Sequence, residues 1–494
     1  MLPPHTKDFL KYRLFLKNNM DILNSTLKDA VHALRTKQYT SCELAQTCLD
    51  TIKKFDKQLH VFLTVNEENV LKEAKTADSL LAKGVEKPLL GIPIALKDLY
   101  STENLLTTAG SKIIDNYVPA YDATVVGKYK KAGAIIIGKT NEDAWGHGSS
   151  GENSDYEPTR NPYDTSRVPG GSSSGSAVAV ATGMCMASTG TDTGSSVRLP
   201  AAYCNLVGIK PTYGRVSRYG IIPMASSFDT IGHMTKTVYD NAYLYEITAG
   251  YDPKDATSVD IPVPKYTSFV GKDIKGIKIG IPKEYVQAPG MQKEVRKLTE
   301  NAIKDLESLG AIIKEVSLPH TDVAMACYYI LVPSEISSNL ARFDGVRFGH
   351  LRDQFGAEAK RRIMLGTHAL SAGYYDAFYK KAAQVRTLIK QDFENVFQDT
   401  DALVMPSSPT VPFKLGEKVS DPLSMYLSDI FVCPVNIAGI PGLSIPCGFA
   451  DHLPVGLQIV GPQFSEERLY QIAYAYEQIH EWYREIPSLL KDKI

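Results

Sequence analysis

Between Gly170 and Arg198 the chain reads GGSSSGSAVAVATGMCMASTGTDTGSSVR, two glycine/serine turns held apart by one short apolar stretch. A flexible linker would run from such a turn into polar spacer. Here Gly171 to Gly175 runs at once into Ala177, Val178, Ala179, Val180 and Ala181, so the turn opens a buried helix over 176–183 and points its backbone N–H groups at anything negative. The second turn, Asp192 to Ser196, follows a strand-like 186–189 and offers consecutive N–H donors around a hydroxyl, which is how an oxyanion hole is built.

Three motifs compete for the same residues. Gly171 to Gly175 fits G-x-S-x-G with Ser173 as nucleophile, but that elbow needs a strand before it, and 161–169 carries Pro162 and Pro169. A phosphate-binding loop would end in Gly-Lys-Ser/Thr, whereas this turn ends Gly175-Ser176-Ala177. Ser25 and Lys28 form a Ser-x-x-Lys pair without a Lys-Thr-Gly partner, and read as helix surface.

Upstream, the apolar segment Gly91 to Leu96 ends in Lys97. Together with the two turns it resembles the amidase signature family. That resemblance implies an α/β fold, a single large domain whose mixed central sheet is covered by helices on both sides. It also implies a Ser–Ser–Lys triad: Ser196 as the acylated nucleophile, Ser172 as a bridging serine held by a cis peptide bond, and Lys97 as the base. The backbone of Thr193, Gly194, Ser195 and Ser196 is then the oxyanion hole. The residue types suit the chemistry, because a serine hydroxyl needs an adjacent base and a neutral lysine can serve. Bringing a lysine from about 10.4 to about 7–8 costs roughly 3–5 kcal/mol, which burial against Ile92, Ile94 and Leu96 would supply.

Longer stretches narrow the resemblance. Lys210 to Gly220, Ser334 to Gly345 and Ser371 to Asp376 are similar to the glutamine-hydrolysing subunits of tRNA-dependent amidotransferases, and the similarity runs from about residue 25 to the end. It implies glutamine hydrolysis through an acyl-enzyme, with Asp429 holding the substrate ammonium, Arg362 its carboxylate and Tyr328 alongside. It also implies a B-type partner subunit that activates misacylated glutamyl-tRNA(Gln) or aspartyl-tRNA(Asn) with ATP and Mg, a small C-type subunit, no cofactor or metal in this chain, and a cytoplasmic setting. A stand-alone amidase acting on another carboxamide stays open, as does a non-catalytic scaffold subunit. Two departures bear on these readings. Ser174 and Ser195 stand where the family usually has glycine, and a serine at a positive φ would be strained. The stretch from Gly349 to Gly356 is shortened by more than a turn or two of helix.

Composition bounds the remainder. With 54 basic against 55 acidic residues and a net charge of −1, the chain carries no electrostatic footprint for nucleic acid, so tRNA contact falls to a partner. The 494 residues would suggest three domains by length alone, yet no polar linker interrupts them and Lys97, Ser172 and Ser196 must meet, so we expect one domain over 25–494 after an extension over 1–24. Seven scattered cysteines without a C-x-x-C pair read as reduced thiols, and the ten histidines form no metal motif. Residues 1–20 lack an apolar run suited to a signal peptide or membrane span. Capping boxes at Thr26/Asp29 and Thr40/Glu43 start two helices. Segments 89–96 and 134–137 read as buried strands, the first tolerating Pro93 near a sheet edge. A strand over 277–281, a helix over 294–309 closed by Gly310 and a strand over 311–316 make a parallel unit.

Overall fold

Both expected capping boxes form. The Thr26 hydroxyl accepts from Asp29 N at 3.1 Å and starts the helix Leu27–Arg35, and the Thr40 hydroxyl accepts from Glu43 N at 3.1 Å and starts Ser41–Leu59. The computed structural model describes residues 24–346 and 349–491; the segment 1–23, which holds nearly all of the expected extension, lies outside the described residues.

Eleven strands form one mixed sheet among the described residues. They are β1 (Phe62–Val65), β2 (Pro93–Lys97), β3 (Ile135–Thr140), β4 (Ala187–Asp192), β5 (Val207–Lys210), β6 (Thr230–Thr235), β7 (Lys278–Pro282), β8 (Ile312–Val316), β9 (Ala402–Pro406), β10 (Gly442–Ala450) and β11 (Leu453–Val460). Their order is β1-β3-β2-β4-β6-β5-β10-β11-β9-β7-β8. Every residue of β2, β3, β4, β5, β6, β9 and β11 is buried. Successive side chains of a strand point to opposite faces, so both faces of the sheet are covered.

Two parallel groups flank an antiparallel centre. In one, β2 lies between β3 and β4, parallel to both, with Lys97 in register with Thr140. In the other, β7 lies parallel to β8 and β9. The expected strand–helix–strand unit is β7, the helix Lys293–Ser308 and β8, with Gly310 at φ +95° closing the helix.

Pro93 corrects the sequence reading. It sits in an interior strand and not near an edge. Because it is the first residue of β2, its missing N–H falls where the ladder begins, and its carbonyl accepts from Met186 N at 3.0 Å. Residues 89–92 form a turn before the strand, so the expected span over 89–96 begins four residues early. The helix after the first glycine/serine turn starts at Ser174, two residues earlier than expected, and β4 extends to Asp192. No strand precedes that turn, which removes the nucleophile elbow.

Candidate active site

The parallel register of β2 and β4 builds the site from below. Lys97, the last residue of β2, and Thr191, near the end of β4, finish side by side. Lys97 Nζ donates to Thr191 Oγ1 at 2.9 Å and to Ser172 Oγ at 2.6 Å. Ser172 lies in the first glycine/serine turn, after a cis Gly171–Ser172 peptide bond. The turn is held from outside by Gly171 N to Ser149 O at 2.8 Å and by Asp143 N to Ser172 O at 3.2 Å. A Cβ on Gly171 would meet Asp143 Oδ2 at 2.1 Å, so the approach of these two segments requires glycine.

The second turn arrives beside the first, with Ser173 N donating to Ser196 O at 3.2 Å. Among the described residues the backbone N–H groups of Thr193, Gly194, Ser195 and Ser196 donate to no protein acceptor, and the Ser196 hydroxyl makes no hydrogen bond. The loop is held from behind instead. Asp192 accepts from Val197 N at 3.1 Å and pairs with Arg198, whose Nη2 also reaches Gly194 O at 3.1 Å. Thr193 Oγ1 donates to Asp229 at 2.7 Å. Neither Ser174 nor Ser195 has a positive φ, so the strain expected of serine at those positions is not present.

Electrostatics centre on Lys97. Burial pushes its amine below the ordinary lysine value, against the pull of Glu142 and Asp143. Glu142 is the residue that sequence reasoning missed. Its Oε2 lies 3.4 Å from Lys97 Nζ, both side chains are wholly buried, and burial pushes the Glu142 carboxyl up to about 8. The lysine therefore sits in a polar nest of Ser172, Thr191 and Glu142, and not only among Ile92, Ile94 and Leu96. No sequence signal marked it: Lys97 pairs with Thr140 across β2 and β3, and only that register brings the chain two residues past Thr140 back to the lysine.

Of the residues expected to hold a free amino acid, Tyr328 and Asp429 lie against the loop over 193–196. Tyr328, on the helix Ala324–Asn339, packs its ring so closely on Gly194 that a Cβ there would meet the hydroxyl at 2.7 Å. Arg362, on the helix Ala357–Leu370, is 3% exposed; its Nε donates to Glu358 at 2.7 Å and its guanidinium lies over the Tyr329 ring at 5.3 Å. Asp429 is buried in the turn Leu427–Asp429, and burial pushes its carboxyl up to about 7 against the Ser195 hydroxyl and Arg362. Arg362 Nη1 and Asp429 Oδ1 are buried without a protein partner among the described residues. Among those residues no group of three or more His, Cys, Asp or Glu could hold a metal ion, all seven cysteines are free, and no helix is long and apolar enough to cross a membrane.

The stretch from Gly349 to Gly356 packs beside Trp145 and Ile113. His350 N donates to Ile113 O at 2.7 Å, and Phe355 meets Trp145 at 5.6 Å between ring centres.

The chain is similar to known proteins over most of its length. The family model described as Amidase matches residues 43–470. The chain is 51% identical over 486 residues to the A-type subunit of glutamyl-tRNA(Gln) amidotransferase from Carboxydothermus hydrogenoformans, covering 95% of this chain and 100% of that protein. The same identity and coverage hold for the corresponding protein of Geobacillus thermodenitrificans. The crystal structure of the A-type subunit of glutamyl-tRNA(Gln) amidotransferase from Thermotoga maritima superposes with a TM-score of 0.79 at 42% identity, over 93% of this chain and 95% of that one.

Proposed function

This chain belongs to the amidase family, and from that premise we propose that it is the glutamine-hydrolysing subunit of a tRNA-dependent amidotransferase, working through Ser196, Ser172 and Lys97. The observation that carries the reading is the fully buried Lys97 amine, 2.6 Å from the Ser172 hydroxyl and beside a loop whose four N–H groups have no protein acceptor among the described residues.

The Ser196 hydroxyl attacks the side-chain carboxamide carbon of glutamine while its proton passes to Ser172 Oγ, whose own proton passes to Lys97 Nζ. The carbonyl oxygen becomes an oxyanion that accepts from the N–H groups of 193–196, each such donor contributing roughly 3–4 kcal/mol to the transition state. The proton returns through the same relay to the leaving nitrogen, ammonia departs, and a γ-glutamyl ester remains on Ser196. Water, deprotonated by that relay, hydrolyses the ester. Asp429 holds the substrate ammonium, Arg362 the α-carboxylate, and Tyr328 lines the floor beside Gly194.

Ammonia passes to a B-type subunit that uses ATP and Mg to activate misacylated glutamyl-tRNA(Gln), or aspartyl-tRNA(Asn), with a small C-type subunit completing a cytoplasmic complex. The fold from residue 25 onward acts as one catalytic domain behind the extension over 1–24. A non-catalytic scaffold drew its support from Ser195 and from the shortened stretch over 349–356, and the absence of a positive φ at Ser195 takes away the first of these.

The decisive experiment treats the full chain with an electrophilic glutamine analogue and locates the adduct by mass spectrometry. We expect it on the peptide containing Ser196; labelling elsewhere, with ammonia release intact in Ser196→Ala, would overturn the assignment.

A further inference from the structure

His147 is a buried polar group that the reaction described above leaves unused. It follows the short turn Ala144–Gly146, in which Trp145 takes φ +61°. The main chain around it is fixed to the Ser172 turn. Asp143 accepts from Gly151 N at 3.0 Å and Asn153 N at 2.8 Å, Asn153 Nδ2 donates to His147 O at 3.0 Å, and a Cβ on Gly146 would stand 3.7 Å from Ser172 Oγ. The imidazole is wholly buried, yet neither Nδ1 nor Nε2 has a hydrogen-bond partner among the described residues.

A histidine kept for packing does not look like this. His233, equally buried, shows the alternative: Nδ1 lies 3.0 Å from the Tyr129 hydroxyl and Nε2 lies 2.7 Å from Thr248 Oγ1. Buried polar atoms are almost always satisfied, so an orphaned pair on one ring calls for a partner that the protein itself does not supply. Two more such atoms belong to the same region, Arg362 Nη1 and Asp429 Oδ1. The three residues are coupled electrostatically: Arg362 acts on both His147 and Asp429, and Asp429 also feels the hydroxyl of Ser149, two residues beyond His147.

Charge decides what the ring can contact. Burial, then Arg362, then Lys97 hold its pKa well below the ordinary histidine value, so it is neutral and offers one N–H donor and one acceptor. Arg362 and Lys97 both act on the ring, and Arg362 acts on it the more strongly. An uncharged N–H donor beside a buried cation is suited to an anion held by that cation.

We propose that His147 is a third substrate-contacting residue of the amino-acid pocket, donating an N–H to the α-carboxylate that Arg362 pairs with. This rests on the glutaminase reading and adds a specificity determinant to it: the pocket selects amides bearing a free carboxylate through two donors of different kinds. Sequence inspection passed over His147 because it belongs to no metal or triad motif.

The test is steady-state ammonia release by the assembled complex with His147→Leu and His147→Asn, on glutamine and on 4-aminobutanamide, which keeps the amine and the amide but lacks the α-carboxylate. We expect His147→Leu to raise the glutamine KM about tenfold or more with kcat within about threefold, and His147→Asn, which retains an N–H, to recover part of the loss. On 4-aminobutanamide the variants and the wild type should share one kcat/KM. An unchanged glutamine KM in His147→Leu, or an equal loss on both substrates, would overturn the contact. Thermal denaturation with and without glutamine separates misfolding from lost binding: His147→Leu should keep its unliganded Tm and lose most of the glutamine-induced rise. A wild-type complex that neither hydrolyses glutamine nor is stabilised by it would instead defeat the underlying function, and this contact with it.

Discussion

Lys97 and Asp429 show burial used for opposite ends. For Lys97 it favours the uncharged amine that a proton relay needs. For Asp429 it favours the uncharged acid that an ammonium does not want, leaving the carboxyl titrating at about 7. The sign of the pH dependence follows. Below that value the acid is protonated and cannot form an ion pair with the ammonium proposed to bind there; above it the carboxylate is present. The glutamine KM should therefore fall as pH rises from 6 to 8, and Asp429→Asn should raise KM and flatten its pH profile, measured by initial rates of ammonia release. Ser196 and Lys97 should behave as one unit. Ser196→Ala should lower kcat by roughly 10⁴-fold or more, and adding Lys97→Ala should cost little further, because residues that act together are not additive. Losses that multiplied would show that the lysine acts elsewhere.

The pocket depends on how its helices approach. Pro333 lies within the helix Ala324–Asn339, and the helix Ala357–Leu370 crosses it at Gly366, where a Cβ would meet Pro333 O at 1.9 Å. Only glycine permits that contact, and Arg362 stands one turn before it on the same helix. Gly366→Ala should push the helix outward and carry the guanidinium away from Tyr328 and Asp429. We expect the glutamine KM to rise about tenfold with a smaller change in kcat, read from kinetics beside a denaturation curve. Segments of this kind resist sequence reading. The helix starts at Thr26 and Thr40 were legible because one side chain caps three residues away. The partnership of Glu142 with Lys97 was not, because it depends on the register of β2 against β3. The placement of Pro93 failed for the same reason: the residue permits either an edge strand or the first position of an interior one, and only the strand order decides.

Across the chain, folding buries acids that would prefer water. Glu142 titrates at about 8 in the native state against 4.5 for an ordinary glutamate, so its contribution is intact below about 4.5 and is lost as pH rises through about 8. Replacing it with glutamine removes that proton. Glu142→Gln should therefore lose less stability than the wild type between pH 4.5 and 8, by up to about 1.4 kcal/mol per pH unit, measured by chemical denaturation at several pH values. Glu477, pushed up to about 8 by burial, still acts in the variant and leaves part of the decline.

The parallel placement of β2 beside β3 and β4 has a temporal consequence. Lys97, Ser172 and Ser196 come from widely spaced stretches of chain, and they are not brought together until those strands have paired. A ribosome-bound or half-folded polypeptide thus has no reaction centre with which to waste cellular amides. During refolding, turnover should return no earlier than the pairing of β2 with β3 and β4, which makes catalysis a reporter of that step.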